Sequence, residues 1–105
     1  MIRGTTPTVI LKLNNTDIDL SELKGIYITI RQGEDIMVTK KLGDEGISLI
    51  GKDTIEVYLS QKDTLGFRPG AAQLQLRGIT HGGVAFATNI VEVIVRDILL
   101  EGEIT

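Results

Sequence analysis

The chain has no cysteine and no tryptophan, and only one histidine and two prolines in 105 residues. Without cysteine, disulfides and thiolate metal sites are excluded, and the composition suits synthesis in a reducing compartment. No apolar run approaches the ~20 residues of a membrane helix, and the opening MIRGTTPT lacks the apolar stretch of a signal peptide. The expectation is a cytoplasmic product with no membrane partner. Eleven basic residues against fourteen acidic ones give a formal charge of −3. The basic residues are scattered, and only Lys40 and Lys41 are adjacent, so no stripe follows a phosphate backbone. Nucleic acid is excluded as an expected partner.

What is present is glycine at hairpin intervals, between stretches that alternate apolar and polar residues. Residues 1–105 read as a single domain, because a chain this long has room for one core, hiding roughly 65% of its unfolded surface. PTVILKL reads as a first strand. In GIYITIRQ, Ile26, Ile28 and Ile30 share one face, while Tyr27, Thr29 and Arg31 share the other. QGED turns the chain into DIMVTKKL, and GDEG turns it again. ISLI and DTIEVYLS pair across GKD, with Ile55, Val57 and Leu59 inward and Glu56 and Tyr58 outward. AAQLQLRGI sets Leu74 and Leu76 against Gln73, Gln75 and Arg77. HGG predicts a type I′ hairpin turn, with positive φ at both glycines. VAFATNIVEVIV is the last long strand.

About seven short strands joined by glycine turns predict an all-β, immunoglobulin-like antiparallel β-sandwich, with a small barrel as the alternative. One segment breaks the alternation. In LSQKDTLGF, Ser60 can cap a single helical turn near residues 60–66, its hydroxyl accepting from the Asp63 amide, with Gly66 ending the turn. That turn is the expected corner where the fifth strand crosses to the opposite sheet, with Leu65 and Phe67 plugging the end of the core.

Nothing in this pattern assembles a reaction. His81 stands alone in a hairpin, short of partners for a metal or a triad. The acid pairs Glu34-Asp35 and Asp44-Glu45 fall on turns, where carboxylates keep the chain hydrated. GDEG lacks the alternating oxygen ligands of a calcium loop, and no helix follows Gly82-Gly83 to cradle a phosphate. The expectation is therefore no catalytic, cofactor-binding or metal-binding residue.

Two features point to binding instead. Tyr27 and Tyr58 both face outward, and with the second and fifth strands adjacent in one sheet they would lie side by side. That pair is either a stabilising cross-strand contact or a docking patch for a protein or a sugar ring. The end of the chain is apolar on both faces: Ile90 and Ile94 oppose Val91, Val93 and Val95, and Ile98, Leu99 and Leu100 follow. One face enters the core. The other needs a cover, and a subunit contact is expected, because a short tail after a terminal strand is poorly placed to fold back.

The opening MIRGTTPT, the central LSQKDTLGF, the QLQLR strand and the ending ATNIVEVIVRDILLEGEI occur together and in order across the whole chain. As a set they resemble a family of small prophage-encoded proteins of Gram-positive bacteria. That family is similar in size and pattern to immunoglobulin-like domains of phage tails and baseplates, including N-terminal domains of upper-baseplate proteins. The resemblance implies a non-catalytic virion structural role, with synthesis in the host cytoplasm and then association with the particle. The partners it implies are other phage structural proteins, further copies of the chain, or both. A carbohydrate-binding, host-adhesion module is the alternative. The cysteine pair, core tryptophan and strand-opening tyrosine of antibody domains are absent.

Overall fold

The computed structural model describes residues 1–13 and 18–105, and among these the chain forms eight strands in two sheets. The first sheet holds β1 (Thr8–Lys12), β4 (Ile47–Ile50) and β5 (Thr54–Tyr58) in the order β1-β5-β4. The second holds β2 (Gly25–Gln32), β3 (Asp35–Lys41), β6 (Gly70–Ile79), β7 (Ala85–Ala87) and β8 (Val91–Val95). Its order is β3-β2-β6, with β7 and β8 sharing the far edge of β6 end to end. All strand pairings are antiparallel. In immunoglobulin lettering the first sheet is B-E-D and the second is C′-C-F-G. The domain is an all-β sandwich of that kind.

The alternation read from the residues builds the core. Ile26, Ile28 and Ile30 face Ile55, Val57 and Leu59 across the sandwich, with Ala72, Leu74 and Leu76 beside them, all buried. The corner forms at α1 (Gln61–Leu65). Asp63 N–H donates to Ser60 Oγ (3.0 Å), and Ser60 N–H donates back to Asp63 Oδ2 (3.0 Å), a reciprocal capping box. Phe67 is 1% exposed and plugs the core end, and Leu65 is half-buried.

Three expectations are corrected. Tyr27 and Tyr58 lie in different sheets, on β2 and β5, and cannot form a pair. The reason is the start of the chain: Ile2 bridges Arg96 in parallel, so residues 1–3 extend the edge of β8. The strand β1 therefore stands beside β5, and β2 begins the opposite sheet, one place later than expected. The HGG turn differs as well. Thr80 N–H donates to Val84 O (2.9 Å) and Gly83 N–H to Thr80 O (3.0 Å), enclosing His81, Gly82 and Gly83. Of the two glycines only Gly83 has positive φ (87°), as in a three-residue loop ending in a bulge. Finally, the last strand is interrupted. Three residues, Thr88–Ile90, stand opposite Gln75 and Leu76, shifting the register by one. This bulge switches parity, so Phe86 and Val95 both reach the inner face.

Candidate interaction surface

The five-stranded sheet turns Tyr27, Thr29 and Arg31 (β2), Ile36 and Lys41 (β3) and Gln73, Gln75 and Arg77 (β6) to its outer face. Their inward neighbours are the core residues named above. Ile90, Glu92 and Ile94 continue the face across the last strand. Two shallow hollows cross it. One of about 430 Å³ is lined by Tyr27, Thr29, Ile36, Thr39, Arg77 and Ala85, among others. The second, of about 330 Å³, adds Arg31, Gln73, Gln75 and Ile90. They share Thr29, Ile36 and Arg77, so together they form one groove running over the sheet.

Apolar and cationic groups are interleaved in that groove. Ile36 is 67% exposed and Ile90 57%, a costly display of β-branched side chains in an uncovered state. Lys41 Nζ sits 5.6 Å from the centroid of the Tyr27 ring, a cation–π distance. Among the described residues Arg31, Lys41 and Arg77 outnumber the one carboxylate on the face, Glu92, although the whole chain carries −3. The groove is thus a basic, apolar surface on an acidic protein. Gln75 Nε2 donates to Thr88 O (2.8 Å), and the Leu76 amide donates to Thr88 Oγ1 (3.1 Å), so the bulge is fastened to the groove floor.

The tail does fold back, contrary to expectation, and it does so without covering this face. Arg3 gathers it. Its Nη1 contacts Asp97 Oδ1 (2.7 Å) and Glu101 Oε1 (2.5 Å), while Nε donates to Phe67 O (2.7 Å) and Nη2 to Leu65 O (3.0 Å). One guanidinium therefore ties the start of the chain, the end of α1 and the tail together. These carboxylate hydrogen bonds raise the Arg3 pKa above its ordinary value. In return the Arg3 hydrogen bond, then the Ile98 amide, lower that of Asp97. Gln61 completes the clasp, its Nε2 donating to Ile104 O (2.9 Å) and its Oε1 accepting from Ile104 N–H (2.8 Å). Ile98 is half-buried, and its Cδ1 would lie 3.0 Å from a Cβ added at Gly4. Leu99 is fully exposed between these anchors, and Leu100 is 71% exposed.

The remaining candidates separate. Tyr58 is exposed on the three-stranded sheet, donating to Glu56 Oε2 (2.5 Å), which raises its pKa. His81 is exposed at the β6–β7 loop. Asp35 pairs with Arg68 (3.2 Å), and Asp44 Oδ2 accepts from the Lys41 amide (2.8 Å), so these acids hold turns. No group of three or more metal-ligating side chains occurs among the described residues, nor is any helix there long and apolar enough to cross a membrane. Sequence reasoning overlooked Gln32 and Thr64, both buried. Gln32 exchanges two 2.7 Å hydrogen bonds with the Arg68 backbone, and Thr64 Oγ1 donates to Thr5 O (2.8 Å). A polar residue at an inward strand position is the signal that marked Gln32.

No family model, no curated protein and no solved structure matches this chain.

Proposed function

We propose that this domain is a non-catalytic structural component of a phage tail or baseplate, working by protein–protein contact. The observation that carries the contact reading is the uncovered groove, where Tyr27, Ile36 and Ile90 are interleaved with Arg31 and Arg77, with Lys41 over the Tyr27 ring and exposed Ile94 farther along the same face. The sequence resemblance to prophage-encoded proteins supplies the setting. The occupant that fits is another structural protein of the particle with an acidic rim around an apolar contact, complementary to a basic groove. Leu99 and Leu100, held out by the Arg3 and Gln61 clasps, form a second apolar contact beside α1.

The test is to purify particles of a phage encoding the chain and to quantify the chain in them. It is expected in fixed stoichiometry, and an Ile90→Glu/Ile94→Glu variant with unchanged circular dichroism is expected to be missing from the particles. Particles without the chain, or full retention of that variant, would overturn the proposal. A second reading is favoured by one observation: Gln73, Gln75, Arg31 and Arg77 line the groove with hydrogen-bond donors near Tyr27, as a sugar site would. Binding on a glycan array that is abolished by Tyr27→Ala, with the Ile90→Glu/Ile94→Glu variant fully retained in particles, would put this reading first.

A further inference from the structure

We infer that β1 is a pairing edge for a second copy of this chain, two copies joining antiparallel about a two-fold axis through Ile10. The backbone of β1, on the sheet opposite the groove, offers that edge. Leu59 N–H donates to Pro7 O (3.1 Å) and Leu13 N–H to Asp53 O (2.8 Å). The odd-numbered residues of this strand therefore direct their backbone groups at β5. By alternation, the N–H and C=O groups of Thr8, Ile10 and Lys12 point away from it. The sheet order ends at β1, so among the described residues no strand receives them.

The other three edges are guarded, the β7 part of the far edge by its length of only three residues. The edge of β8 is occupied by Met1–Arg3, through Arg96 N–H to Met1 O (2.7 Å) and Arg3 N–H to Arg96 O (2.9 Å). The strand β3 is bulged between its pairs to Ile30 and Arg31 and ends in Lys40-Lys41. The strand β4 has four residues and is flanked by Gly46 and Gly51, both at positive φ. Bulges, lysines and shortness are the usual means of blunting an edge. The strand β1 has no bulge and a single lysine, Lys12, at its end. Instead Ile10, 62% exposed, stands at its centre.

A second copy is the occupant because the strand is complementary to itself. An antiparallel pair centred on Ile10 sets isoleucine against isoleucine, and Thr8 against Lys12 of the other copy. All three residues then exchange both backbone groups. Sliding the centre to Lys12 would place two lysines face to face and shorten the overlap. With Ile10 as centre, each Lys12 instead leans toward the row of Tyr58 and the Glu56 carboxylate of the other copy, which is the attractive direction. The product is a continuous six-stranded sheet, β4-β5-β1 followed by its two-fold mate. The grooves stay open on the far sheets.

Cysteine scanning tests the register, since the natural chain has no thiol. Ile10→Cys places two thiols on directly opposed strand positions, whose Cα separation of about 5.5 Å admits a disulfide. Thr8→Cys places its thiols several residues apart. Under mild oxidation Ile10→Cys should give a cross-linked dimer and Thr8→Cys should not. Light scattering across a concentration series should show the unmodified chain as a dimer. Ile10→Pro should weaken that dimer roughly tenfold or more, because it deletes one outward N–H per copy and none that bonds β5. Ile10→Lys repeats the test with the backbone intact. A chain that is monomeric at every concentration, a dimer unaffected by both Ile10→Pro and Ile10→Lys, or cross-linking through Thr8→Cys alone would each overturn the inference. All of these readouts use the purified chain, so they fail or succeed independently of particle incorporation.

Discussion

At the end of the sandwich where α1 lies, side-chain hydrogen bonds between distant segments join the Phe67 plug in closing it; at the opposite end, where β6 turns into β7, the side-chain hydrogen bonds are local and distant segments meet by packing. Arg3, Gln61, Thr64 and the Gln32 amide tie four stretches of chain at the first end. At the second, Phe86 lies over Gly78, its cross-strand partner, and beside Leu23, with Ile18 and Val84 around them. Hydrogen bonds are directional, so the first end fixes the path of a tail that has no strand to follow. Packing constrains shape and volume but is less directional than a hydrogen bond. The first end can therefore display exposed Leu99 and Leu100 in a defined place, which a purely packed end could not do.

Three substitutions or conditions would break or sharpen this contrast. The largest effect is expected at the plug of the hydrogen-bonded end. Phe67→Ala leaves a cavity beneath the Arg3 clasp and should cost about 3–5 kcal/mol in urea unfolding. A loss below about 1 kcal/mol would mean that the hydrogen bonds alone close this end. At the packed end, a Cβ at Gly78 would fall 2.6 Å from Phe86 Cζ and 3.0 Å from Leu23 Cδ1. Gly78→Ala should cost about 1–3 kcal/mol and shift the Phe86 ring resonances in NMR spectra. Unmoved Phe86 resonances would show that the ring does not lie on the glycine.

The smallest effect is one of acid. Each end carries a carboxyl held below its ordinary 3.8, Asp97 chiefly by the Arg3 hydrogen bond and Asp19 chiefly by the Ser21 hydroxyl. A lowered folded pKa means the unfolded chain binds protons more readily. The stability from these groups is thus complete above 3.8 and drains as pH falls below it. Salt screens the Arg3 pair and leaves the Ser21 hydrogen bond in place. Urea midpoints between pH 5 and pH 2.5 should show the Asp97 share of the loss shrinking in 1 M salt. That share should vanish in Asp97→Asn, while the Asp19 share persists. An acid loss insensitive to both salt and Asp97→Asn would remove the clasp from the account.

Local chemistry was legible residue by residue. Ile26, Ile28 and Ile30 alternate with Tyr27, Thr29 and Arg31 because a strand has period two, and that parity holds in the structure. Ser60 caps α1 because its hydroxyl reaches an amide three residues on, wherever the helix sits. Of the residues singled out for an interface, Tyr27, Tyr58, Ile90, Ile94, Leu99 and Leu100 are exposed, and the structure decides that the Ile90 and Ile94 face of the last strand is the outward one. Ile98 is half-buried against the Gly4 turn, a contact that no local pattern announces.

The sequence by itself determined most of the strands and turns, the helical corner and the inward parity, since each depends on near neighbours in the chain, and the number of short alternating strands pointed to the two-layer sandwich. Tertiary structure alone decided which strands stand side by side, and so separated Tyr27 from Tyr58. It also decided that the tail returns to Arg3, that Thr88–Ile90 bulge to bring Phe86 and Val95 to one face, and that β1 is left as an open edge. The reason is that pairing among distant segments is a competition for the same edges. With Met1–Arg3 on the edge of β8, β1 to β3 stand one place later than expected while β4 to β8 keep theirs, and no local rule records that outcome.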